Sequence, residues 1–110
     1  MLQRFASFAD GKPITVVIRI PEFPNDVSRR IKFTEPLTEI VQAISTTASL
    51  DCIPTPDGVA VFIELKPDEL VAIDAVVGYL REIKVSLDTV IEFEFEKGIV
   101  SWSISELNDT

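Results

Sequence analysis

The chain has 110 residues, 46% hydrophobic and 25% charged, which is enough for one packed domain without staples. One cysteine and no histidine exclude an internal disulfide, a cysteine metal cluster, Ser-His-Asp and Cys-His catalysis, and imidazole ligation. The net charge of −8 is uneven, with six basic and three acidic side chains in residues 1–34 but four basic and fifteen acidic in residues 35–110; this argues against nucleic acid and anionic membranes, which need clustered Lys and Arg, and either permits attraction to a basic protein partner or only keeps the protein soluble.

Residues 1–10 read as a short leader, with Leu2, Phe5 and Phe8 or Ala9 at helical spacing. It has no continuous apolar stretch of signal-peptide type, and no apolar run in the chain is long enough to span a bilayer, so a cytoplasmic location is expected. Residues 11–105 read as a single α+β domain and 106–110 as a flexible tail. A first strand is predicted over 14–20, with Ile14, Val16, Ile18 and Ile20 on one side and Thr15, Val17 and Arg19 on the other. Pro21, Pro24, Asn25 and Asp26 mark a loop. A second strand is predicted over 28–33, with Ile31 and Phe33 inward and Arg30 and Lys32 outward; its basic content suits a protected edge.

Thr34-Glu35-Pro36 reads as a helix start, because proline is tolerated in the first turn. Leu37, Ile40, Val41 and Ile44 follow as one amphipathic stripe. Residues 51–58, with Pro54, Pro56 and Asp57-Gly58, read as a rigid loop, and 59–65 as a strand in the middle of the sheet. Pro67-Asp68-Glu69 opens a second helix with acidic side chains at its positive end. Its broad apolar stripe is Leu70, Ile73, Val76, Val77, Leu80 and Ile83, and Gly78 within it suggests a close backbone approach.

The chain closes with a predicted hairpin, 89–96 and 99–105, around the turn Lys97-Gly98. That turn sets Phe95 opposite Val100, Phe93 opposite Trp102 and Ile91 opposite Ile104. Ile91, Phe93, Phe95, Val100, Trp102 and Ile104 then share one face, and Glu92, Glu94, Glu96, Ser101 and Ser103 the other. The predicted order is strand, strand, helix, strand, helix, strand, strand: a largely antiparallel sheet with two helices on one face. By element order, residues 13–96 resemble a ubiquitin-type β-grasp, from which the strand 99–105 departs. The resemblance carries no motif and implies no functional residue.

No phosphate-binding or cofactor motif is present. Cys52 lies beside Asp51 with nothing to activate it and reads as a packing residue. Pro21-Glu22-Phe23-Pro24 has the P-x-x-P form but sits in a connecting loop. The carboxylates Glu92, Glu94 and Glu96 are the clearest ionisable cluster. A strand spreads such groups about 7 Å apart, unlike the converging oxygens of a calcium loop, so an acidic docking strip or a solvated face fits better than a metal. Arg29, Arg30 and Lys32 are the basic cluster, placed to recruit an acidic segment or to guard an edge.

These features point to a small non-catalytic protein–protein interaction module, acting through the acidic sheet face or the basic edge strand, with Glu92, Glu94, Glu96, Arg29, Arg30 and Lys32 as binding residues. A sharper form is an acidic inhibitor or immunity-type protein that masks a basic site such as a nuclease. A rival is a hydrolase using carboxylates alone, with Glu64, Asp68, Glu69 and Asp74 lining a cleft. A further reading is a homodimer paired along the edge 99–105.

Overall fold

In the computed structural model, which describes residues 12–24, 26–96 and 98–105, the first strand, β1 (Ile14–Pro21), alternates as its sequence demands. Ile14, Val16, Ile18 and Ile20 are buried under the helices, while Arg19 reaches solvent on the other side. The leader 1–10 and the tail 106–110 fall outside the described residues.

The next element corrects the expected second strand, because residues 28–33 belong to a helix, α1 (Val27–Gln42). Asp26 caps it: the Ser28 N–H donates to Asp26 Oδ1 at 3.0 Å, and the Arg30 N–H donates to the Asp26 carbonyl at 2.9 Å. Phe33, Leu37 and Val41 recur every four residues and are buried, whereas Ile31, expected inward, is 49% exposed. The expected start at Thr34-Glu35-Pro36 is therefore mid-helix, and Pro36 sits inside α1. With a helix where the second strand was expected, no hairpin opens the described residues, and the β-grasp resemblance falls.

Residues expected as a rigid loop form a strand, β2 (Ser49–Thr55), which turns tightly into β3 (Gly58–Leu65). Gly58 is required there, since a Cβ would stand 1.9 Å from the Ile20 carbonyl oxygen across the sheet. A 3-10 turn (Pro67–Glu69) then leads into α2 (Val71–Glu82). Glu69 folds back to accept the Lys66 N–H at 2.8 Å, half of a capping box. Ala72, Ile73, Val76, Val77 and Leu80 are buried, but Gly78 is exposed, with open space where a Cβ would go, so no close approach explains it. α2 ends in a Schellman motif: the Val85 N–H donates to the Leu80 carbonyl at 3.2 Å and the Lys84 N–H to the Arg81 carbonyl at 3.1 Å.

β4 (Val90–Phe95) and β5 (Gly98–Ser103) make the closing hairpin. Its register is shifted by two residues from expectation: Phe93 pairs with Val100, Ile91 with Trp102, and Phe95 with Gly98. Gly98 belongs to the strand rather than the turn, with a φ of 154° that disfavours any side chain. An even shift leaves the faces unchanged, so the apolar set still points inward. The Phe93 and Trp102 rings meet edge to face on the diagonal, 5.9 Å apart.

The sheet order is β2-β3-β1-β4-β5, and every neighbouring pair is antiparallel. The first four strands and two helices follow the β-α-β-β-α-β order of the split βαβ, or ferredoxin-like, arrangement, with β5 added outside β4. The class is thus α+β, with both helices packed in one continuous core against one face. Phe33 joins the two helices and the loop after β1: its ring lies 4.9 Å from Phe23 and 6.0 Å from Tyr79, whose hydroxyl donates to the Phe33 carbonyl at 3.0 Å. No helix among the described residues is long and apolar enough to cross a membrane.

Candidate functional site

With both helices on one side, the other face of the sheet is covered by no described helix or strand. The strand registers assign its side chains to rows. One row runs Ser49, Glu64, Thr15, Glu94, Ile99; the next runs Asp51, Phe62, Val17, Glu92, Ser101; the third runs Ile53, Ala60, Arg19, Val90, Ser103. The middle is apolar. Val17 and Ala60 are buried, Phe62 and Val90 are half-buried, and Ile53 is 47% exposed.

Around this centre lie the carboxylates. Glu64 and Glu94 flank Thr15 in one row, about 10 Å apart at two strand spacings. Asp51 stands exposed beyond Phe62. Glu92 is partly neutralised, because Arg19 Nε donates to its Oε1 at 3.0 Å. Glu96, expected on the same strand face, instead lies in the turn after β4 and is paired with Lys12. The ladder of three carboxylates is therefore two on the strand and one at its tip. Glu94 makes no ion pair with a described residue.

The basic cluster is not on a strand. Arg29, Arg30 and Lys32 occupy the first two turns of α1, so the expected basic edge strand does not exist. Arg29 and Lys32 are exposed, and Arg30 lies near Cys52 of β2. Burial pushes the Cys52 thiol up from its ordinary value, against a smaller opposing pull from the Arg30 charge, so it stays protonated at neutral pH. The P-x-x-P stretch is bound into the fold, with Phe23 packed on Phe33.

Of the carboxylates considered for hydrolysis, Glu64 and Glu69 border one shallow depression of about 180 Å³, beside Ser45 and Lys66. Asp68 and Asp74 are exposed and do not border it. The Glu69 carboxyl is held below its ordinary range, first by the Lys66 N–H and then by the Ser45 hydroxyl. Ser45 is buried, and its Oγ lies near enough to favour that charge but forms no aligned hydrogen bond of its own. Among the described residues, no group of three potential ligands converges as a metal site.

The apolar centre of the sheet face escaped the sequence reading. Its signal was the outward parity of Val17 and Phe62, each a lone large apolar side chain among polar or small ones on its strand's outer side. Asp51 and Ile53 were hidden in a segment that its prolines made look like a loop. Compared with protein-family models, curated proteins and solved structures, the chain matches none.

Proposed function

We propose that this domain is a non-catalytic protein-binding module whose contact surface is the sheet face that no described helix or strand covers, and that its partner is basic. The observation that supports this is the distribution of side chains on that face: an accessible apolar centre of Phe62, Val90 and Ile53 with Glu64, Glu94 and Asp51 around it. Protein interfaces share this anatomy, an apolar core within a polar rim, and a uniformly solvated surface does not. The excess of acidic over basic groups on the rim, where Arg19 is the counter-charge paired with Glu92, favours a partner of the opposite sign and accelerates encounter. An inhibitor that covers a basic active site is one form of such a partner relation.

The test is affinity capture from native lysate at low and high salt, followed by association kinetics with the purified partner. Glu64→Lys with Glu94→Lys, or Phe62→Ser, is expected to abolish capture of a basic partner. Arg29→Ser with Lys32→Ser on α1 is expected to leave it unchanged. A partner retained by the sheet variants and lost with the α1 variant overturns the reading, as does an association rate indifferent to salt.

A further inference from the structure

The sheet opens where β4 stops short. The pairing of β1 with β4 ends at Arg19 opposite Val90, while β1 runs on to Pro21, paired with Gly58 on its other side. At this end lies a depression of about 540 Å³, the size of a ligand pocket. Arg19 and Val90 line it and also belong to a row of the sheet face, so the depression borders the contact surface proposed above.

Its walls are of two kinds. Pro21, Pro56 and Val90 are apolar and accessible. Asp57 and Asp88 are exposed carboxylates on opposite sides of β1, beside the ends of β3 and β4, strands about 10 Å apart. Both are held by the main chain: the Asp57 carbonyl accepts the Glu22 N–H at 2.6 Å, and the Asp88 N–H donates to Ser86 Oγ at 3.1 Å. The Thr55 hydroxyl donates to Asp57 Oδ1 at 3.1 Å and orients that carboxylate. Arg19 is the cation on this wall, and its Nε donates to Glu92 Oε1 at 3.0 Å. Asp57 and Asp88 make no ion pair with a described residue.

These walls select the occupant. An anion meets two carboxylates and a guanidinium that is already paired. A bare metal ion finds no converging group of three ligands among the described residues. An apolar group leaves both carboxylates unmatched. A second copy of this chain carries a net charge of −8 and is repelled overall. An aliphatic stem ending in a positive charge matches both kinds of wall, and lysine and arginine side chains have that form. We propose that the depression receives one lysine or arginine side chain of the basic partner, its stem on Pro21, Pro56 and Val90 and its cationic head at the Asp57 and Asp88 carboxylates. This rests on the reading of the sheet face as a site for a basic partner, and it names the contact that anchors that partner.

The probes are the Nα-acetyl methylamides of lysine and arginine, titrated into the intact chain at constant ionic strength and followed by backbone amide spectra. Two controls divide the chemistry. The norleucine derivative has the stem without the charge, and methylammonium has the charge without the stem. At least one basic derivative is expected to bind tenfold more tightly than either control, with shifts centred on residues 19–21, 55–59 and 88–90. Asp57→Asn with Asp88→Asn keeps an acceptor for the Thr55 hydroxyl and is expected to weaken that binding at least tenfold. Asp88→Asn alone, at an exposed side chain, is expected to weaken it at least threefold and serves if the double variant does not fold. Basic derivatives that bind no better than the controls, or that shift other residues, overturn the proposal. So does a dimer in sedimentation that the double substitution dissociates, because a second copy then fills the depression. If capture of a basic partner is lost with Glu64→Lys and Glu94→Lys but kept with Asp57→Asn and Asp88→Asn, the pocket falls and the sheet-face reading stands.

Discussion

Lys84 ends α2 with a φ of 58°, a left-handed conformation that a Cβ makes costly and that helix ends usually give to glycine. The Schellman bonds hold it there. Its side chain is exposed, so little packing is lost on removal. Lys84→Gly relieves about 1–2 kcal/mol of strain and gives back about 0.4–1 kcal/mol through a freer unfolded chain, for a net gain of roughly 0.5–1 kcal/mol in urea unfolding. Glu69 acts in the opposite sense, as a residue whose charge is favoured. Its folded carboxyl titrates below the unfolded one, so the stability it confers is complete above the unfolded pKa of about 4.3 and is lost as pH falls through the folded value. Glu69→Gln keeps an acceptor for the Lys66 N–H without the charge. The parent is expected to be the more stable at pH 6–7, and the gap is expected to close below about pH 4 in unfolding titrations.

Among the elements, α1 is the one that works against its own sequence. Pro36 removes the hydrogen bond that its N–H would give to Lys32 and crowds the preceding turn, yet the helix runs through it because Phe33, Leu37 and Val41 are anchored in the core. Pro36→Ala is expected to raise stability by about 1–3 kcal/mol, the helix-interior cost of proline less its effect on the unfolded chain. Asp26→Ala is expected to lower it by about 1 kcal/mol through loss of the cap. Thermal and urea unfolding of both variants tests these signs together. The same element shows where the sequence stopped being legible. Ile31 and Phe33 satisfy a strand period as well as a helical one over so short a stretch, and the deciding information is the Asp26 cap and the four-residue spacing that reaches on to Val41. β2 was illegible for the converse reason: a proline is harmless on an edge strand, so Pro54 looked like loop punctuation. β1, β3 and the inward parity of β4 and β5 were legible because each alternates against the core over several residues, and parity survives the two-residue shift at Gly98. Of the candidate site, the carboxylates were legible one strand at a time. Their assembly with Phe62 and Ile53 depends on a strand order that no local pattern encodes.

For the whole molecule, net charge decides whether the sheet face is merely tolerated or is maintained at a cost. Eighteen acidic groups oppose ten basic ones, and the two ion pairs among the described residues, Lys12–Glu96 and Arg19–Glu92, leave Glu64 and Glu94 without a cation on a shared row. Like charges about 10 Å apart repel by only a few tenths of a kcal/mol in water, but each also feels the rest of an acidic body. Replacing both by lysine is therefore expected to stabilise the fold by about 0.5–1 kcal/mol in 10 mM salt. The gain is expected to fade in 0.5 M NaCl, where the screening length is shorter than their separation. The same substitution is expected to abolish binding of the basic partner, so stability and binding move in opposite directions. That opposition separates the two explanations of the acidity. Carboxylates that only keep the protein soluble can be replaced with a gain in stability and no loss of binding. Carboxylates that form the rim of an interface hold a repulsion in the free domain that only the partner relieves.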